Sequence, residues 1–477
     1  MGPQGDHGAT AVPPATPDIL LAHGYFLGED EKEQQIMRPY PPLGLMYLSA
    51  FLSRADFRVE LFDSTLRTRA ELHDRLARGT PSVLGLYTNL ITRPSVLAIA
   101  ERAKQHGWTV VLGGPESANY PAEYLAAGVD AIVIGEGELT LVELLPALRD
   151  AGPHRLHGIA GVVFRDERGA VIENRPREQI ADLDALPWPD RSAIDMHGYM
   201  QLWRTHHGAS SATMITARGC PYRCRWCSHA VFGFTHRRRS VRDCADELEF
   251  IRDVWHPDQI WYADDVFAIH PGWLFAYGAE LKRRGIRMPF ETISRADRLL
   301  RDEVVATLAE MGCFRIWIGS ESGSQRILDA MSRGVTVAQV QQACRIARAH
   351  GISTGMFLMW GYEGETLADI EATVEHVATA LPDVYLTTLA YPIKGTPYFE
   401  AVADRVSLDR PWREASDRDY RIAGRRDREY YRHADRWMQH RVAAARSEAV
   451  DPVAAARHHE AARAARAALF AASPGTP

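Results

Sequence analysis

Long apolar runs are missing from this chain. No stretch reaches the roughly 18–20 consecutive apolar residues of a membrane span, so no span is expected. The opening "MGPQGDHGATAVPPATP" has no basic segment followed by an apolar one, and residues 1–17 read as a disordered leader instead of a secretory signal. Cysteine is scarce, six in 477 residues, which excludes a secreted disulfide scaffold and places the chain in a reducing cytoplasm. An excess of basic charge is missing too. With a net charge of -6, nucleic acid is not an expected partner. What remains, 46% hydrophobic and 24% charged residues, is ordinary for a globular protein, and the length suggests two or three domains.

From Asp18 short apolar runs alternate with helical stretches. "DILLAHGY" (18–25), "RVELFDS" (58–64), "SVLGLYT" (82–88), "TVVLGGP" (109–115) and "AIVIGEGE" (131–138) read as strands, with amphipathic helices between them. Such strands argue a parallel sheet covered on both faces, a doubly wound domain over 18–155. A linker over 156–205 follows, holding the β-rich "GVVFRDERGAVIENR" and the proline-punctuated "LDALPWPDRSAID". A second alternation over 206–400 gives six strands, "ATMITAR" (212–218), "QIWYADDVF" (259–267), "PFETISRA" (289–296), "FRIWIGSES" (314–322), "STGMFLMW" (353–360) and "VYLTTLAY" (384–391). Six βα units suggest a partial TIM-like barrel with its chemistry at the C-terminal strand ends. The region 401–477 is charged, and from about 425 it is rich in Ala, Arg and His and reads as helical. The fold class is therefore α/β, with a doubly wound domain, a partial (β/α)6 barrel and a helical tail.

Half of the cysteines stand together in "RGCPYRCRWCSHA" (218–230), directly after the first barrel strand. Three thiolates on one loop, Cys220, Cys224 and Cys227, can each hold one iron of a cubane 4Fe-4S cluster and leave the fourth iron open. Zinc is the competing reading, but zinc spacings usually come as Cys-x2-Cys pairs. Cys244, Cys313 and Cys344 are widely spaced, and the last two sit among apolar residues that suit a small core side chain.

Cys-x3-Cys-x2-Cys at this place resembles the radical S-adenosylmethionine enzymes, and further motifs follow in the family's order. The resemblance implies that the open iron is chelated by S-adenosylmethionine. It matches Asp264 and Asp265 of "YADDVF" to acceptors for the methionine amino group, and Arg295 of "SRADRL" to a partner for its carboxylate. Glu321 and Ser322 of "IGSESG" match the stretch that meets the ribose or methionine moiety. Gly361 and Gly364 of "WGYEGET" match the adenine turn, and Trp226 takes the aromatic place before the third cysteine.

Upstream, "PPLGLMYLSAFL", "LGGPES" and "VIGEGE" resemble the cobalamin-binding domain that such enzymes carry over the barrel mouth. The resemblance places Asp63, Tyr87, Thr88, Gly113, Gly114, Pro115, Gly135, Glu136 and Gly137 at the cobalamin site. One departure matters: classical carriers present Asp-x-His-x-x-Gly, and here "DSTLRT" has Thr65 in the histidine's place, so no histidine ligand to cobalt is expected from this loop. The first domain has no cysteine, which disfavours a methylthiotransferase.

Together these features imply a cobalamin-dependent radical C-methyltransferase acting on an unactivated carbon of a small metabolite, in secondary-metabolite, lipid or tetrapyrrole biosynthesis. The substrate and a reducing partner such as flavodoxin or ferredoxin are the expected partners. The same domains also resemble an oxidative cyclase or ring-rearranging enzyme without net methyl transfer, and a cobalamin or iron–sulfur sensor is the non-enzymatic alternative. No residue is assigned a catalytic role beyond cofactor binding. Trp261, Tyr262, Trp317, Trp360 and Tyr362 flank the strand ends, at least half of them as core, and "RRR" (237–239) could meet a phosphate or a propionate but reads first as a solvated turn before a helix.

Overall fold

The computed structural model describes residues 16–149, 153–416 and 419–472, so most of the expected leader falls outside the described residues. The first five strands are β1 (Ile19–His23), β2 (Val59–Phe62), β3 (Val83–Tyr87), β4 (Thr109–Gly113) and β5 (Ala131–Val133). They run parallel in the order β2-β1-β3-β4-β5. Alternation along each strand feeds two cores. Leu20, Leu84 and Leu112 pack against Leu72, Val96 and Ile99 on one face, while Leu21, Val111 and Val133 pack against Leu45, Leu141 and Leu144 on the other. Burial on both faces is why these strands lack polar alternation. Each buried Leu or Val contributes about 1.5–3 kcal/mol, before conformational entropy is set against it. β5 ends before "IGEGE", because Gly135 turns the chain at φ +84° and Glu138 opens the next helix.

The first sheet does not stop at residue 155. β6 (Val162–Arg165) and β7 (Val171–Glu173), from the segment expected as linker, extend it antiparallel beyond β5. The stretch 183–207 is the true connector: Asp190 N–H donates to Met46 O, Arg54 to Ala185 O, and the Trp203 indole to Pro39 O at 2.7 Å.

The second sheet is fully parallel, in the order β15-β14-β13-β12-β11-β8. Its strands are β8 (Ser211–Met214), β11 (Gln259–Tyr262), β12 (Phe290–Ser294), β13 (Cys313–Glu321), β14 (Ser353–Trp360) and β15 (Val384–Leu389). β8 and β15 do not pair, so the barrel is open. Ile260, Tyr262, Ile316, Ile318, Met356 and Leu358 face the surrounding helices. The alternate residues Trp261, Glu291, Trp317 and Phe357 face the lumen. Trp317 lies flat because Gly355 has no side chain: a Cβ there would stand 2.3 Å from the indole. Its Nε1 donates to Glu291 at 2.9 Å and its ring stacks on Phe357, so the lumen has an aromatic floor.

The strand expected over 212–218 breaks in two, and β9 (Ala217–Arg218) pairs antiparallel with β10 (Arg237–Arg238). After β15 the chain crosses back to the first domain through the hairpin β16 (Val406–Leu408) and β17 (Tyr420–Ile422). There Arg93 is fully buried, ion-paired with Glu116, and donates to the Trp412 and Ala415 carbonyls. The tail forms two helices, Arg428–Ser447 and Pro452–Ala471, set against the barrel helix 367–380 through Arg441–Glu375 and Arg466–Glu371. Among the described residues no helix is long and apolar enough to cross a membrane.

Candidate active site

The hairpin base β9–β10 delivers the cysteine loop to the barrel mouth. Gly219 makes the turn into it at φ +84°, and a Cβ there would meet the Thr235 carbonyl at 2.4 Å, which only glycine avoids. Cys224 is buried, Cys220 half-buried and Cys227 exposed, and all three are free thiols. Burial pushes the Cys220 and Cys227 thiols up, and the nearby Cys224 raises both further. Among the described residues no three Cys, His, Asp or Glu side chains converge on a single ion. Gly219→Ala is therefore expected to lower the iron and sulfide bound per chain after reconstitution, read by elemental assay against the parent protein.

The acid pair of "YADDVF" splits. Asp264 is buried and accepts from the Thr216 N–H at 2.6 Å and from the Thr216 hydroxyl, with Arg238 beside it at 3.5 Å, so it fixes the approach to the cysteine loop. Asp265 faces the cavity described below. Arg295 is buried, held by Asp297 at 2.9 Å, and its guanidinium lies 3.7 Å from the ring centre of Tyr222 in the cysteine loop. Glu321 ends β13 in the left-handed region at φ +62°, and burial raises its carboxyl against the pull of Arg333. Ser322 is buried and its hydroxyl is committed to Thr373 and the Ser324 N–H. Trp226 packs onto an apolar cluster holding Met331, Met359 and Tyr362. The Gly361 N–H donates to Glu365 at 2.7 Å, and the Gly364 carbonyl accepts from Arg326. Of the five flanking aromatics, Tyr262, Trp360 and Tyr362 are core, Trp317 floors the lumen, and Trp261 lines the cavity.

Arg333 escaped the sequence reading. It is buried, its Nη1 stands 3.7 Å from the Cys224 sulfur, and it donates to the Gly319 carbonyl at 2.8 Å. Gly319 makes room, since a Cβ there would stand 2.6 Å from the guanidinium. The only local signal was a turn, "MSRGV", whose Ser332 and Gly334 both have positive φ.

A cavity of about 720 Å³ joins the two domains. Cys220 and Asp265 line it from the barrel; Tyr87, Gly113, Gly114, Pro115, Gly135, Glu136 and Gly137 line it from the first domain. Gly114, at φ +101°, brings backbone to the wall where a Cβ would meet the Thr88 carbonyl at 2.4 Å. An apolar arm follows the sheet face past Leu21, Gly85, Val111, Val133 and Leu141. Two of the residues expected at cobalamin do not line this cavity. Thr88 is buried against Tyr124, and Asp63 is buried among His23 at 2.9 Å, Tyr199 at 2.7 Å and the Thr65 N–H. His23 was missed because it stands 40 residues from Asp63 in the chain. Glu136 lines the cavity, but its carboxylate is held by Arg218, Arg237 and the Ile180 N–H. "RRR" is not a solvated turn: Arg237, Arg238 and Arg239 pair with Glu136, Asp264 and Glu247 beneath the loop.

Residues 214–377 match the Radical SAM superfamily and residues 36–145 the B12 binding domain. The chain belongs to the radical S-adenosylmethionine enzymes that carry a cobalamin-binding domain. Within that family it is 29% identical to an uncharacterized methyltransferase of Pyrococcus horikoshii over 78% of this chain and 81% of the relative. It is 24% identical to the anaerobic magnesium-protoporphyrin IX monomethyl ester cyclase of Rubrivivax gelatinosus, over 78% of this chain and 68% of that one. The fold matches the solved structure of the radical S-adenosylmethionine methyltransferase TsrM from Kitasatospora setae, with cobalamin and a 4Fe-4S cluster bound. The TM-score is 0.68 at 19% identity, covering 83% of this chain and 78% of that one.

Proposed function

We propose that this radical S-adenosylmethionine enzyme is a cobalamin-dependent C-methyltransferase acting on an unactivated carbon of a small hydrophobic or heterocyclic metabolite. The single observation that carries the reading is the shared cavity, which brings Cys220 and Asp265 together with the glycine turns 113–115 and 135–137. The residues fit both groups. Cys220, Cys224 and Cys227 would hold the cluster, and the glycine turns with the apolar arm over Gly85 would take a bulky, largely apolar cofactor. When bound, these groups supply one-electron cleavage of a sulfonium and a transferable methyl.

The chain's own residues bind and orient. Asp265 offers an acceptor to an ammonium at the cavity wall. Arg333, beside Cys224, and Arg295, over Tyr222, would supply a cation for a carboxylate. Asp264 does not touch that wall; it holds Thr216 and so fixes the start of the loop. The stack of Trp317 on Phe357 gives the lumen an apolar floor below the mouth. A reductant of the flavodoxin or ferredoxin type completes the reading, within biosynthesis of secondary metabolites, lipids or tetrapyrroles.

The match to a cyclase, at 24% identity over 78% of this chain, supports a second reading, radical chemistry without methyl transfer. Products separate the two. Anaerobic, fully loaded protein given a strong reductant and S-adenosylmethionine is expected to yield both 5′-deoxyadenosine and S-adenosylhomocysteine. 5′-Deoxyadenosine alone would overturn the methyltransferase in favour of the cyclase, and neither product from cluster-intact protein would favour a sensor.

A further inference from the structure

The two halves of the cavity are tied together by buried charge. Glu136 and Glu138 stand on the first domain's turn "IGEGE", whose Gly135 and Gly137 line the cavity. Arg218 reaches both, Nη1 to Glu136 and Nη2 to Glu138, each at 2.7 Å. Arg237 reaches Glu136 at 2.6 Å and also donates to the Ile180 carbonyl, while the Ile180 N–H donates to Glu136. The side chains of Arg218, Glu136 and Glu138 are 5%, 3% and 5% exposed, and that of Arg237 is 12% exposed.

The arginines occupy a telling place. Arg218 and Arg237 are register partners in β9–β10, the base of the hairpin that carries all three cysteines. The turn against the cobalamin cavity and the base of the cluster loop are therefore the two sides of one ion-pair network. Such a network has no cheap half-formed state, because withdrawing either side strands buried charge on the other. If the loop loosens without its cluster, the carboxylates lose their partners and the glycine turn loses its support.

We infer that Glu136 and Glu138, through Arg218 and Arg237, make cobalamin binding depend on an intact cluster loop, so that the cluster raises the chain's affinity for cobalamin. The inference rests on the cofactor reading above and adds a coupling between the two sites. Glu136 and Glu138 are positioning residues here; their contacts are to arginine and backbone.

The test is a binding cycle on the full chain. Hydroxocobalamin affinity is titrated by absorbance on cluster-loaded and cluster-free protein, with cluster content fixed by EPR. The parent protein is expected to bind at least about tenfold more tightly when cluster-loaded, within the usual range of coupling between sites. In Glu138→Gln that ratio is expected to fall to within about twofold of unity. Arg237→Met, at the less buried end of the network, gives the same comparison should the first variant fold poorly. A parent ratio near one, with both groups bound, would overturn the coupling and leave the cofactor reading standing. An undiminished ratio in both variants would assign the coupling elsewhere and overturn the role of this network. No cobalamin binding in either form of the parent would overturn the cofactor reading and the inference together.

Discussion

Replacing Cys224 by alanine is expected to abolish S-adenosylmethionine cleavage, with a loss well beyond the roughly 100-fold that removal of even an outer partner of a metal ligand brings. Cys224 is the buried member of the trio, and Arg333 lies against its sulfur. Its loss would remove one of the three thiolates proposed to hold the cluster and leave that cation facing an apolar methyl. Cys244→Ala is the matched control: that thiol is buried in the barrel core beside Leu248 and Tyr277, so its loss should cost some stability and leave the cluster in place. The two are separated by iron content and EPR of reconstituted protein, with 5′-deoxyadenosine formation as the activity readout. Equal iron content and equal cleavage in both variants would remove Cys224 from the cluster.

The second large effect is structural. Glu247, on the helix Val241–Trp255, is fully buried between Arg191 of the connector and Arg239 of the loop base. Removing it strands two buried guanidinium groups, so Glu247→Ala should destabilise the barrel by about 3–5 kcal/mol, read as a shift of its urea midpoint. Burial draws the Glu247 carboxyl upward, but Arg191 and Arg239 outweigh it and hold its pKa below the ordinary 4.5. A carboxyl with a lowered native pKa stabilises fully above its unfolded value, and that contribution disappears as the pH falls through the native value. The parent should therefore lose stability in acid more steeply than the variant. Parallel pH profiles would show that Glu247 carries no net charge linkage.

The fold was legible in the chain because buried parallel strands write themselves as uninterrupted Val, Ile and Leu. β1, with all five residues buried, is an example, and so are the outward residues of β11, β13 and β14. The three cysteines were legible because local spacing carries them. Long-range charge was not. Asp264 and Glu136 look like ligand contacts in sequence, yet each is taken by an arginine-rich hairpin base whose residues read locally as a surface turn. Arg333 is 109 residues from Cys224, and His23 is 40 from Asp63, separations at which no periodicity speaks. The extension of the first sheet past residue 155 was hidden for a related reason: β6 and β7 are short and antiparallel, and only pairing with β5 makes them part of that sheet.

One cavity serves both domains, with the cysteine loop on one wall and the glycine turns on the other. EPR of the full chain loaded with both groups tests it most directly. The cobalt signal of cob(II)alamin is recorded with the cluster reduced, and again with the cluster oxidised and diamagnetic. The cobalt signal is expected to broaden and relax faster when the cluster is reduced. A cobalt signal identical in the two states, from protein shown to carry both groups, would contradict it.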